Sequence, residues 1–209
     1  MLFRLPPEAL VLLIPTLIFA LSFHEFAHAW MAYRCGDNTA ARMGRLTLNP
    51  MAHLDIFGSM MILFVGFGWA KPVPVDSSSL NNPRIDLMKV AAAGPISNLL
   101  LAFVGGLIFR FLSNAPIFSE SILLMVYYFT YINISLAIFN LIPVSPLDGS
   151  QIFSGYLIKS NPQLAWKIQS YGPQVLFGLI LFGYLTSFSI IGFVMRPFVN
   201  FFMFIFAGV

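Results

Sequence analysis

The chain has 209 residues, of which 58% are hydrophobic and 9% charged, with a mean hydropathy of +0.84. Soluble domains carry about one charged residue in four, so this composition excludes a soluble globular protein and describes an integral membrane protein. The net charge of +3 comes from scattered Lys and Arg without a basic run, which excludes nucleic-acid binding and leaves membrane orientation as the information in the charges. Cys35 is the single cysteine, so there is no internal disulfide.

Leu5-Pro6-Pro7-Glu8 reads as a helix start, with proline tolerated in the first turn and an acid near the positive end of the dipole. The first helix is predicted to run to about Tyr33, uncharged from Ala9 to Phe23. Further uncharged stretches cover residues 56–70, 90–109, 121–147 and 168–195, followed by an apolar tail over 197–209. The stretch 56–70 holds fifteen residues with Gly58, Gly66 and Gly68. That falls short of the roughly 20 residues a spanning helix needs, so it is expected to re-enter. The tail after Pro197, also short, is expected to lie at the interface or pack on the bundle. The predicted fold class is all-α, a multi-pass transmembrane helix bundle. It would have about four spanning helices, a short re-entrant segment and a C-terminal apolar segment. One domain is expected over 1–209, with a catalytic core at about 8–155 and C-terminal helices at about 168–209.

If residues 56–70 dip in and return, then Arg34, Arg42, Arg45, Lys71, Arg84, Lys89, Lys159 and Lys167 share one side. Arg4, Arg110 and Arg196 are left opposite. By the positive-inside rule the larger group is cytoplasmic.

Within the first predicted span stand His24-Glu25-Phe26-Ala27-His28, three ionisable side chains in five residues and an expensive insertion in a bilayer. Positions i and i+4 share a helix face, so both imidazoles can hold one ion while Glu25 flanks it. In that arrangement a carboxylate deprotonates the water that attacks an amide carbonyl. His24 lies ten residues before Arg34, about 15 Å along the helix from the cytoplasmic end. Cys35, seven residues past His28, is too far along the helix to complete the set.

Catalytic zinc usually takes three protein ligands. The best third candidate is Asp148, the first charge after 27 uncharged residues, beyond the helix-ending Pro143 and Pro146. Broken backbone at membrane depth is tolerated only against protein or a watery cavity, and Gly149 permits close approach there. The competing reading of Asp148 is a helix-end residue that caps the segment after it.

These residues together resemble the site-2 protease family of intramembrane zinc metalloproteases. The resemblance rests on His24-Glu25-Phe26-Ala27-His28, then Asn140-Leu141-Ile142-Pro143 and Leu147-Asp148-Gly149. Leu48-Asn49-Pro50-Met51-Ala52-His53-Leu54-Asp55, Gly66-Phe67-Gly68-Trp69-Ala70-Lys71-Pro72-Val73-Pro74-Val75 and Ala93-Gly94-Pro95-Ile96-Ser97-Asn98 resemble its compact bacterial and archaeal branch. Ser145 and Ile56 depart from the pattern at positions where proline is common. The resemblance implies one zinc ion per chain held by His24, His28 and Asp148, Glu25 as general base, and Asn140 near bound substrate. No polar stretch is long enough for a PDZ or CBS domain.

His53 is either a loop histidine at the membrane surface or a donor to a developing oxyanion. Asn98 reads as interhelical glue. Gly66 and Gly68 either pack or mark an extended edge that pairs with an unwound substrate. The expected partners are a transmembrane protein or peptide substrate and membrane lipid, and the expected place is the cell membrane with the active site toward the cytoplasm. The alternatives are a membrane metal-binding or transport protein and a catalytically silent relative. A transporter needs acids in several spans, which these spans lack.

Overall fold

The computed structural model describes residues 7–65, 68–114 and 119–209. Regular structure among them is helical, in the order α1 (Pro7–Arg34), a single turn α2 (Thr39–Arg42), α3 (Ile56–Val65), α4 (Pro83–Ser113), α5 (Glu120–Asn140), α6 (Asp148–Leu157), α7 (Pro162–Thr186) and α8 (Ile190–Ala207). Four of these are long and apolar enough to cross a membrane: α1 from Leu10, α4, α5 and α8. Large apolar side chains such as Phe19, Leu100, Phe103 and Phe111 remain exposed on them, as lipid-facing positions require. The protein is a multi-pass helical membrane bundle.

The centre of the bundle is α4, which packs on α1, α5, α6 and α8. Its 31 residues extend about 46 Å, longer than the hydrocarbon core, so its ends stand clear of the lipid. It runs antiparallel to α1 and α5, pairing Asn98 with Ala20 and Asn133, and Phe109 with Tyr127. Lipid tails are as apolar as leucine, so close helix packing needs small residues. A Cβ on Gly105 would sit 2.7 Å from Thr130 Oγ1, and one on Gly106 would sit 2.6 Å from the Phe206 backbone. Beside them Ala102, Ile134, Val199, Met203 and Ala207 form the buried core of α4, α5 and α8.

The α1 helix stops where Gly36 takes a left-handed φ of +105°. In line with the expected re-entry, α3 covers ten residues, too few to cross a membrane, and beyond the two-residue interval outside the described set the chain comes back beside the start of α3, with an antiparallel bridge between Leu54 and Ala70. Two expectations need correction. The stretch 168–195 is not one continuous segment, because Ser187 adopts a left-handed φ of +59° and Ser189 caps α8 by accepting from Gly192 N. Nor does a separate tail start at Pro197; that residue lies inside α8. The fourth long apolar helix is therefore α8 rather than residues 168–195.

Arg110 shows where α8 ends, donating to the carbonyls of Phe204 (3.0 Å) and Ile205 (2.5 Å). The ends of α4 and α8 thus share one face, and the two helices run parallel. Arg196, expected at that face with Arg110, instead sits six residues into α8. The preceding α7 touches the body mainly through Ala165, Gly172 and Leu176, its buried residues.

Gly106→Leu should push α8 off α4 and lower stability by about 1–3 kcal/mol, the usual cost of overpacking. Thermal unfolding of purified protein in detergent should show a lower Tm. Gly178→Leu should leave it unchanged, because nothing lies within 4 Å of a Cβ there.

Candidate metal centre

Helix spacing carries His24 and His28 to one face of α1, turned toward α4, and both rings are buried. Their Nε2 atoms are 3.0 Å apart. Asp148 Oδ2 lies 3.1 Å from the Nε2 of His24 and 3.3 Å from that of His28. Donors about 2.0 Å from a tetrahedral ion stand roughly 3.3 Å from each other, so the three atoms outline one face of such a site.

The hydrogen bonds on the far side of each ring explain why these atoms converge. His28 Nδ1 lies 2.7 Å from the carbonyl oxygen of Val90, which can only accept, so Nδ1 carries the proton. His24 Nδ1 lies 2.5 Å from Asn98 Oδ1 and donates likewise. In the neutral imidazoles both Nε2 atoms are then lone pairs, aimed at each other and at a carboxylate oxygen. Asp148 Oδ2 is buried and has no hydrogen-bond donor among the described residues. Three electron-rich atoms held about 3 Å apart in a buried site repel unless a cation lies between them, and a divalent metal fits the donor set.

Asp148 reaches this point because α5 ends at Asn140, the backbone turns irregularly through Pro143 and Pro146, and α6 begins with Asp148 itself. A carboxylate in the first turn of a helix is favoured by the dipole. The closeness of the α5 end and the α6 start needs Gly149, whose Cβ would lie 2.2 Å from the Leu141 carbonyl oxygen. The space for the imidazoles needs Gly94, where a Cβ would lie 2.4 Å from His28 Nε2 and 2.6 Å from His24 Nε2.

A cavity of 540 Å³ contains His24, His28, Asp148, Glu25 and Asn140, with Leu21, Val73, Leu87, Leu136 and Leu176 among its apolar walls. Glu25 is nearly buried in it. Asn140 donates from Nδ2 to the Leu136 carbonyl one turn back. Gly68 also lines the cavity and packs closely, since its Cβ would meet the Gly58 carbonyl oxygen at 2.0 Å. Gly66 lies outside the described residues. His53 does not line the cavity: its Nε2 donates to the Thr47 carbonyl at 2.7 Å, and its own carbonyl accepts from Lys71 N.

The extended stretch from Gly68 to Val75 forms one cavity wall and is anchored from behind by buried polar groups. Arg45 donates to the Lys71 carbonyl and Asp37 accepts from Asp76 N. Hydrogen bonds from Ser78 and Ser79 hold the Asp76 carboxyl below the usual carboxylate range. Cys35, buried at the end of α1, has its thiol pushed up by burial and by the nearby Asp86 carboxylate.

Sequence reasoning read Asn98 as interhelical glue and gave no role to the Val90 carbonyl or the missing side chain of Gly94. Their spacing held a signal, because Val90, Gly94 and Asn98 recur every four residues and so face a partner helix bearing His28 and His24 at the same interval.

A multi-pass bundle with two histidines, an aspartate and a neighbouring glutamate in one cavity has the make-up of a membrane metalloprotease. The comparisons agree: residues 12–123 and 113–183 match peptidase family M50, and the chain belongs to that family, the site-2 proteases. It is 39% identical over 182 residues to the Bacillus subtilis (strain 168) protein named "Putative zinc metalloprotease YwhC", covering 85% of this chain and 82% of the relative. It is 31% identical over 145 residues to "Putative zinc metalloprotease Rip2" of Mycobacterium tuberculosis, 66% of this chain and 54% of that protein. A Mycolicibacterium smegmatis protein of the same name is 29% identical over 160 residues, 73% of this chain and 59% of the relative. No solved structure matches the chain. The protein is a metalloprotease of that family.

Gly94→Ala, which would force a methyl group between the imidazoles, should lower affinity for added Zn2+ by about 10-fold or more, as for loss of ligand orientation. Equilibrium competition with a chelating dye measures this, with the helical circular dichroism signal retained.

Proposed function

We propose that the protein is an intramembrane endopeptidase that cleaves transmembrane segments near the cytoplasmic side of the cell membrane, using one zinc ion per chain held by His24, His28 and Asp148. The observation that carries this reading is the convergence of those three donors to within 3.3 Å of one another, in the cavity that also holds Glu25. The catalytic core would be the unit from α1 to α6, about residues 8–155.

A zinc ion held by His24, His28 and Asp148 would supply Lewis acidity, lowering the pKa of a water and polarising the scissile carbonyl. Glu25, one residue beyond His24 on the same helix, accepts the proton of the attacking water and returns it to the leaving amine nitrogen. Asn140, on the cavity wall, donates to the oxygen that becomes negative as the carbonyl turns tetrahedral. The apolar walls suit the side chains of a membrane-embedded substrate, the class being single-span membrane proteins or signal-peptide remnants.

A helical substrate hides its carbonyls in its own hydrogen bonds, so it must unwind locally before attack. The extended wall from Gly68 to Val75, braced by Arg45 and Asp37, offers main-chain partners to the opened strand. Charge supports the orientation: Arg34, Arg42, Arg45, Lys71, Arg84, Lys89, Lys159 and Lys167 gather toward the end of the bundle where α1 finishes and α4 begins, the pattern that the positive-inside rule associates with the cytoplasm. The cavity lies about 15 Å inside it, counting the ten residues from His24 to Arg34.

With single-span substrates in proteoliposomes, Glu25→Gln should keep its zinc while kcat falls by about 10²- to 10⁴-fold, the range for loss of a general base. A variant that cleaves at the native rate overturns the assignment of Glu25. Removing zinc with a chelator should abolish cleavage, and added Zn2+ should restore it. A cysteine placed at Lys159 should react with an impermeant maleimide in inverted vesicles, where the cytoplasmic face is outward, and not in intact cells. Labelling from the outer face reverses the orientation.

A further inference from the structure

The two imidazoles are held in their metal-binding form by unlike partners. His28 Nδ1 faces a main-chain carbonyl, that of Val90, which can accept and never donate. His24 Nδ1 faces the side-chain amide of Asn98, which presents an acceptor oxygen on one edge and a donor nitrogen on the other. Were that amide reversed, its NH2 would face Nδ1. His24 would then have to carry its proton on Nε2, the atom that points at His28 and Asp148. The amide orientation therefore decides whether His24 offers a lone pair to a metal.

Asn98 is wholly buried, and its Nδ2 donates to two acceptors, the Ala20 carbonyl at 3.2 Å and Asn133 Oδ1 at 2.9 Å. Asn133 is wholly buried too, and is itself oriented because its Nδ2 donates to the Phe129 carbonyl at 2.8 Å. The series runs from His24 on α1 to Asn98 on α4 to Asn133 and the Phe129 carbonyl on α5, with each oxygen accepting from the preceding nitrogen. No water is needed to complete it, and bonds aligned in this way polarise one another.

We propose that Asn133, which touches no metal donor, is a positioning residue that selects the metal-binding tautomer of His24 by holding the Asn98 amide in one orientation. Its inward amide is an acceptor with a task, rather than general polar adhesion between helices. This rests on His24 and His28 being zinc ligands, as proposed above.

The test is zinc affinity of the purified protein in detergent, measured by chelator competition for the native chain, Asn133→Leu, Asn133→Asp, Asn98→Asp and the Asn98→Asp/Asn133→Leu double variant. Asn133→Leu keeps the bulk but not the acceptor and should weaken zinc binding by about 10-fold or more, the scale of outer-shell effects on metal sites. Asn133→Asp keeps an accepting oxygen and should stay within about 3-fold of native. Asn98→Asp shows His24 an oxygen whichever way it turns, so adding Asn133→Leu to it should change affinity by less than about 2-fold, the non-additivity expected of one series. Should Asn133→Leu not fold, Asn133→Ala, which removes the amide without adding a branch, takes its place in both backgrounds.

Native affinity in the single variant, or the same loss with and without Asn98→Asp, overturns the proposal and leaves a packing role. A native chain whose zinc affinity is unchanged by His28→Ala overturns the underlying assignment of the ligands, a result separable from either of these.

Discussion

The close approach of α1 to α4 at Gly94 is the constraint on which the rest of the site depends. The two imidazoles occupy space that any side chain at that position would fill, as the 2.4 Å gap between a Gly94 Cβ and His28 Nε2 shows. Glycine within a helix costs about 1 kcal/mol relative to alanine in water, a cost set here against the packing it permits. Because the helices run antiparallel, one four-residue spacing meets another. His28 reaches the Val90 carbonyl, His24 reaches Asn98, and Gly94 lies between.

Polar groups at this depth survive because they satisfy one another. His24, His28, Asn98 and Asn133 are all buried, in a bundle whose outer surface is apolar, and an unpartnered polar group there costs several kcal/mol. The hydrogen bonds behind the rings serve that need and also set which ring nitrogen faces the cavity. Among the described residues of this cavity, Asp148 Oδ2 is a buried carboxylate oxygen without a donor, and a cation held between it and the two imidazoles would supply its missing partner.

The proposed cleavage within a membrane would also need a place where main chain is neither helical nor exposed to lipid. The break between α5 and α6 is one such place and the extended stretch after Gly68 is another, and both border the cavity. Each is supported by close contact rather than by regular structure. Gly149 lets α6 start against the Leu141 carbonyl, Gly58 and Gly68 bring α3 onto the returning chain, and Arg45, Asp37 and the His53 carbonyl hold that chain from behind.

Much of this was legible along the chain. The apolar runs marked α1, α4 and α5, the shortness of residues 56–70 favoured re-entry over a span, and Pro143 with Pro146 marked the break before Asp148. Such features are local, set by length, periodicity and proline geometry, and a linear reading captures them. The division between α7 and α8 was less visible, because Thr186-Ser187-Phe188-Ser189 carries no proline or glycine and apolar residues continue on both sides. What only the tertiary structure decided was which backbone and amide groups stand behind the histidines, that His53 stands outside the cavity and holds its wall at Lys71 from behind, and that α8 packs parallel to α4. Those facts depend on which helix faces meet, and residues 24, 98 and 133 become neighbours only when three helices pack. The sequence by itself determined the donor types and their spacing, and packing determined the direction in which each donor points.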